Sequence, residues 1–355
     1  MAAGAALGGR VSAAPAAGGG RWTVPRVGLV LGPSLFALLV LLPTGSLAGD
    51  PKRLAAVALW MACWWATEAV PLAATSMLPL VLLPLLGLRG VGDVAASYGD
   101  DMVFLFLGGF VLALAVERSG LHRRVALAVL DVVGPSPRRQ LWGFLAVTAA
   151  ASMWLSNTAT TLMMLPIAAG VADRLGGGRV ATRLMLAIAY GASIGGMGTL
   201  VGTPPNLVLA GMAPTLVEGL RPLTFAGWML FGVPVVLVLL PVAGLLLGHG
   251  LRGEVAPSAA GLAEERTGLG PVRPAERRAA VLFGVTALAW ITRTGFELGA
   301  VTVPGWGALL GDPAAVSDAV PAIAAAIVAT LLPSGEPEGG RLLSWEQVGH
   351  GVPWG

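Results

Sequence analysis

Two apolar stretches of about 15 residues, Gln140 to Leu155 and Ala159 to Arg174, meet at Ser156-Asn157-Thr158. Both look helical, and each is too short for a hydrocarbon core about 30 Å thick, which needs around 20 residues. A hairpin that enters the membrane, turns at Ser156-Asn157-Thr158 and leaves on the same side accommodates both lengths. A turn at that depth leaves backbone N–H and C=O groups unpaired, which is tolerated only where the turn lines a polar cavity. The second helix then starts with its positive dipole end at the turn, beside Ser and Asn oxygens. Such a tip suits a small ion or an anion. A Ser/Thr-rich interface between two ordinary helices would use the same residues, so the tip alone leaves both alternatives open.

The rest of the chain favours the membrane. Its 355 residues are 55% hydrophobic and only 12% charged, a composition of polytopic membrane proteins rather than soluble domains. The net charge of +3 is almost all arginine and is spread over loops, so it bears on topology and not on nucleic-acid binding. One cysteine, Cys63, excludes a disulfide framework or a Cys-based metal site. His122, His249 and His350 have no ligand spacing and read as surface residues. Gly195 to Gly202 is no dinucleotide loop, because no strand precedes it. No nucleophile–base pair stands among the intramembrane residues, so the chain does not read as an enzyme.

In chain order, residues 1–25 form an Ala/Gly-rich tail without the apolar core of a signal peptide. A first span runs from Arg26 to Leu42. The 35-residue block Leu54 to Leu88 is too long for one span and reads as two, with a tight turn near Glu68. Glu68 is best placed as a cap there. Met102 to Val116 is the fourth span, and Glu117 and Arg118 after it fall at headgroup level. Residues 121–133 have the spacing of an interfacial amphipathic helix. Beyond the hairpin, Val180 to Val201 is a span that fails at Gly202-Thr203-Pro204-Pro205-Asn206. Pro205 lacks a backbone donor and biases Pro204 out of helical geometry. A helix broken in this way offers carbonyls to a cation and an N-terminus to an anion. A span from Phe225 to Leu247, a charged linker, and spans near Ala279 to Ile291 and Val316 to Leu332 complete the chain.

Charge sets the orientation. With the N-terminus in the cytoplasm, the inside segments carry 17 of the 22 Lys/Arg residues, which fixes that assignment. The hairpin then enters from the cytoplasm. Trp64-Trp65-Ala66-Thr67 is faintly echoed by Trp290-Ile291-Thr292. Five spans separate the copies, so the second would be inverted, as in many secondary transporters.

Trp64-Trp65-Ala66-Thr67-Glu68-Ala69-Val70-Pro71, Phe106-Leu107-Gly108-Gly109-Phe110, Ser156-Asn157-Thr158-Ala159-Thr160 and Ser193-Ile194-Gly195-Gly196-Met197-Gly198-Thr199 with Gly202-Thr203-Pro204-Pro205-Asn206 resemble the divalent anion–sodium symporters. These are the sodium-coupled dicarboxylate, citrate and sulfate carriers. The resemblance covers about residues 50–355. It implies an all-α, polytopic, inverted-repeat secondary transporter with a re-entrant hairpin and a broken helix. Scaffold helices and the interfacial helix would occupy 26–135, the first transport segment 136–250, a cytoplasmic linker 251–278, and an incomplete second repeat 279–355. The family carries Ser-Asn-Thr once in each repeat and only the first is present, so the chain is expected to be an N-terminal portion that does not transport alone.

Carried over, Ser152, Ser156 and Asn157 with the Gly202 carbonyl would hold sodium. Asn157, Thr158 and Thr203 would face a substrate carboxylate. Oxygen ligands suit a hard cation. The motifs hold no Arg or Lys, so a dianion would rest on helix N-termini, hydroxyl and amide donors and bound cations. Expected partners are sodium as coupling ion, a divalent anion (succinate, malate, fumarate, citrate or sulfate), membrane lipid and a second copy in a homodimer. No organic cofactor and no nucleic acid are expected. The alternatives are a non-transporting fragment active only in assembly, or a related arsenite or metal–citrate carrier.

Overall fold

The computed structural model describes residues 23–43, 47–134, 136–175, 177–220, 222–251, 266–298, 301–310, 316–337 and 339–352. Most of the expected tail, residues 252–265 of the linker and the last three residues lie outside these. The chain forms two compact units, one up to Tyr98 and one from Gly99 onward. Both are helical, as expected of a polytopic membrane protein. Among the described residues three stretches are long and apolar enough to cross a bilayer: Val24–Leu41, Val91–Ser119 and Phe225–Gly248.

The first unit contains α1 (Val24–Leu41), α2 (Gly49–Thr67), α3 (Leu72–Ser76), α4 (Leu78–Leu85) and α5 (Val91–Tyr98). Its main contact rests on Gly28 and Gly32, one turn apart on α1. A Cβ at Gly32 would lie 2.7 Å from Trp60 Cδ1 and 2.8 Å from Trp64, while one at Gly28 would strike the Thr67 hydroxyl. Small residues spaced by four let membrane helices approach this closely. Gly32→Leu is therefore expected to cost about 1–3 kcal/mol, the usual penalty for overpacking, and Gly32→Ala less. Thermal unfolding of the solubilised protein measures this; an unchanged midpoint for the leucine variant would refute the close contact. The predicted turn follows α2. Glu68 caps the helix with φ 49°, its amide donating to the Trp64 carbonyl, and Pro71 opens α3.

The second unit starts with α6 (Asp101–Ser119), whose N-cap Asp100 accepts from the Met102 amide at 2.9 Å. The amphipathic α7 (Leu121–Val133) follows, then the hairpin α8 (Pro137–Ser152) and α9 (Asn157–Arg174). At 1.5 Å per residue these legs, 16 and 18 residues long, fall short of the hydrocarbon thickness. The turn differs from the expectation: it occupies 153–156, and Asn157 and Thr158 already belong to the first turn of α9. The reason is local, since Ser156 acts as N-cap, its Oγ accepting from the Ala159 amide at 3.2 Å.

The broken helix also differs. α10 (Gly178–Gly196) ends five residues before the expected Val201, and α11 (Pro204–Leu216) resumes at the proline pair. α12 (Phe225–Gly248), α13 (Pro274–Thr292), α14 (Ala319–Leu331) and the short α15 (Trp345–Gly351) complete the helices named here. Gly191 and Gly195 of α10 lie against the backbone of α8, where a Cβ would come within 2.8 Å of the Leu145 carbonyl and 2.2 Å of that of Ala149. Gly108 of α6 meets the Ala322 backbone of α14 in the same way. A short antiparallel hairpin, β1 (Gly295–Leu298) with β2 (Val301–Pro304), is a small addition to the otherwise all-helical fold that was expected. Gly295, at φ 78°, supplies the left-handed turn out of α13 that lets the backbone pair with itself instead. The echo noted in the sequence ends two helices of equal length, 19 residues. Thr67 and Thr292 each donate to the carbonyl four residues back at 2.7 Å.

Two ion pairs with buried carboxylates tie this unit together. Arg124 of α7 donates through Nε to both Glu276 oxygens at 3.0 Å and through its other nitrogens to the carbonyls of Leu269, Gly270 and Pro271. Glu276 precedes the apolar part of α13. Burial would raise its carboxyl, but the hydrogen bonds from Arg124 and the Arg273 amide, with both guanidinium charges, outweigh that and hold it below its ordinary value. The second pair joins Arg293 to Asp318 at 2.5 Å. Asp318 also accepts from the Phe225 amide at 2.7 Å, and its carbonyl from Trp290 Nε1 at 2.9 Å. Phe225 stacks on Trp290 at 4.6 Å, and Trp154 from the hairpin turn joins them.

Candidate functional site

A helix stopped inside an apolar core must find partners for its last carbonyls, and the break after Gly196 finds them in distant side chains. Asn206 is buried, and both hydrogens of its amide nitrogen are used, donating to the Gly196 carbonyl at 2.8 Å and the Thr199 carbonyl at 2.7 Å. Trp228 Nε1 of α12 donates to the Met197 carbonyl at 2.9 Å. The buried Thr199 hydroxyl donates to the Met153 carbonyl, which ties the break to the hairpin turn. These bonds explain why the helix opens at Met197 and not at the prolines alone.

Glycines bring the two broken elements together. A Cβ on Gly196 would lie 2.6 Å from Asn157 Oδ1, and one on Gly202 would lie 2.4 Å from the Gly196 carbonyl. Asn157 is thus packed against the end of α10, while Ser152 Oγ lies 2.6 Å from Asn157 Oδ1 and 2.8 Å from the Ala192 carbonyl. A hydroxyl has one hydrogen, so Ser152 can donate to only one of them at a time.

In front of this layer is a cavity of about 950 Å³ whose wall includes Ser156, Asn157, Thr158, Gly202 and Thr203. The N-termini of α9 and α11 both belong to it, through Ser156–Thr158 and Thr203–Pro204. Five of the six site residues read from the sequence therefore share one cavity. Ser152 is the exception: it is fully buried behind Asn157 and absent from the wall. Sequence reasoning gave no role to Thr199 or Trp228 and named Asn206 only within its motif. The signal available was the placement of a hydroxyl and an amide among apolar neighbours. Glu117 and Arg118, expected at the headgroups, line this cavity too, because α6 continues to Ser119 and carries them along its wall.

A family model described as citrate transporter, CitMHS, matches residues 62–354. The chain belongs to that family. The sodium-dependent dicarboxylate transporter SdcS of Staphylococcus saprophyticus is 37% identical over 346 residues, and proteins of the same name from Staphylococcus aureus strains are 36% identical. The match takes in 93% of this chain and 64% of each of these relatives, so the chain spans less than two thirds of their length. Membership of the divalent anion–sodium symporters, read first from the motifs, agrees with these matches.

Another cavity, about 400 Å³ and almost wholly apolar, lies among α6, α7 and α8, with His122 on its wall. That corrects the surface assignment of this histidine. Burial pushes its imidazole below the ordinary value, against a backbone contact to Val116 and the nearby Glu117 charge. Among the described residues no cluster of His, Cys, Asp or Glu has the arrangement of a metal site.

Proposed function

We propose that this protein is a sodium-coupled secondary carrier of divalent anions, with C4-dicarboxylates as substrates, and not an enzyme. The observation that carries the proposal is the single cavity holding the hairpin tip, the helix break and the N-termini of α9 and α11. The names of its relatives support the same ion and substrate class. In this proposal Ser152, Ser156, Asn157 and the Gly202 carbonyl bind sodium, with Ser152 reaching the ion from behind Asn157. The ligands are neutral oxygens, which suit a hard monovalent cation by extension of the rule for other hard cations. Asn157, Thr158 and Thr203 bind one substrate carboxylate at the two helix N-termini. A dianion there gains from a cation bound beside it, and the gain is reciprocal, so each increases the affinity of the other. The protein works as a homodimer in the cytoplasmic membrane.

The test is uptake of labelled succinate, citrate and sulfate into proteoliposomes, with and without a sodium gradient, by this chain and by a version extended to the length of the relatives it matches. Saturable, sodium-driven uptake of succinate is expected of the extended version. Uptake by it that is indifferent to sodium, or none for any of the three anions, would remove the proposal.

The N-terminus is assigned to the cytoplasm on the Arg/Lys bias. Single cysteines at Arg123 and Arg179, in a background lacking Cys63, should then react with an impermeant thiol reagent only from the cytoplasmic side. Labelling of either from outside would reverse the orientation.

A further inference from the structure

The substrate motifs contain no cation, yet the cavity wall does. Glu117 and Arg118, in the last turn of α6, are the only ionisable residues on it among the described residues. Both are exposed, and Arg118 has no ion pair or side-chain hydrogen bond among the described residues. The two differ in their surroundings. Glu117 acts on the His122 imidazole, whereas Arg118 is one residue, about 100° of helix rotation, further on. Two other arginines of this region are committed elsewhere: Arg124 to Glu276 and Arg273 to the Ser119 carbonyl. An arginine with no ion pair among the described residues, on the wall of a cavity lined by helix N-termini, adds a full positive charge to their partial ones. Low-dielectric walls focus such a field on an entering anion.

We infer that Arg118 is a specificity-determining residue of this cavity, drawing a dicarboxylate in and favouring the dianion over the monoanion, while Glu117 beside it sets an opposing field. The inference rests on the carrier reading above. Its basis is charge and position, so lysine should substitute for arginine. The effect should scale with substrate charge and fade as salt shortens the screening length to about 8–10 Å near physiological ionic strength.

The experiment is sodium-dependent binding of succinate to the purified protein at low and high ionic strength, for wild type, Arg118→Gln, Arg118→Lys and Glu117→Gln, with a singly charged monocarboxylate for comparison. At low ionic strength Arg118→Gln should weaken succinate binding by roughly 5- to 30-fold, as expected for loss of one focused charge. Arg118→Lys should restore most of it and Glu117→Gln should strengthen binding. These differences should shrink at high salt, and sodium affinity measured without succinate should not change. Wild-type affinity in Arg118→Gln at low ionic strength, or a loss that lysine does not restore, would overturn the inference. If the wild-type protein binds no succinate in the presence of sodium, the carrier reading itself fails, so the two failures are distinct.

Discussion

Replacing Asn157 with alanine is expected to weaken sodium and dicarboxylate binding together. Its Oδ1 lies 2.6 Å from Ser152 Oγ and it lines the cavity wall at the start of α9, so in the proposed site one side chain serves both ligands. A hydrogen bond to a charged group contributes about 1.5–3 kcal/mol, which is roughly a 10- to 150-fold loss for the dianion. The lost cation ligand adds to this, because a site with less sodium also holds the anion less well. Titrating sodium and succinate separately against the purified variant measures both effects. Loss of succinate affinity with sodium affinity unchanged would sink the shared-ligand idea, and unchanged affinity for both would remove Asn157 from the site. Asn157→Asp retains an oxygen ligand and adds a negative charge. It should keep sodium binding better than alanine does while repelling the dianion.

The largest effect on stability is expected at Asp318, far along the chain from the motifs. Its carboxylate is 4% exposed and faces Arg293, itself only 11% exposed, at 2.5 Å, while also accepting the Phe225 amide. Asp318→Ala strands a buried guanidinium and leaves the first amide of α12 without its partner. Removing one member of a buried pair costs about 3–5 kcal/mol, because the remaining charge is uncompensated. Asp318→Asn keeps an acceptor for Phe225 and should cost less. Removing both charges, as in Asp318→Asn with Arg293→Met, should recover part of the loss. The change is read from unfolding of the solubilised protein, with the Trp154–Phe225–Trp290 stack as a fluorescence reporter. A cost below about 1 kcal/mol for Asp318→Ala would mean that the pair is solvated and the assigned network wrong.

The sequence by itself determined the helical membrane class, most helix positions and the existence of both interruptions to within a few residues, because those properties are written into short stretches. Serine caps a helix through its own neighbours, and proline lacks a donor wherever it stands. The sequence also carried the family, since the two motifs survive as contiguous residues. The tertiary structure alone decided where α10 stops, since its last carbonyls are satisfied by Asn206 and Trp228, which are 10 and 31 residues away in the chain. It also decided that Ser152 stands behind the cavity while Arg118 stands on its wall. Helix length places a residue to within a turn, but the side of a helix that meets a cavity depends on neighbours packed from elsewhere. Asp318 shows the same limit: in the sequence it is an ordinary acid before an apolar helix, and only folding gives it Arg293 and the Phe225 amide as partners.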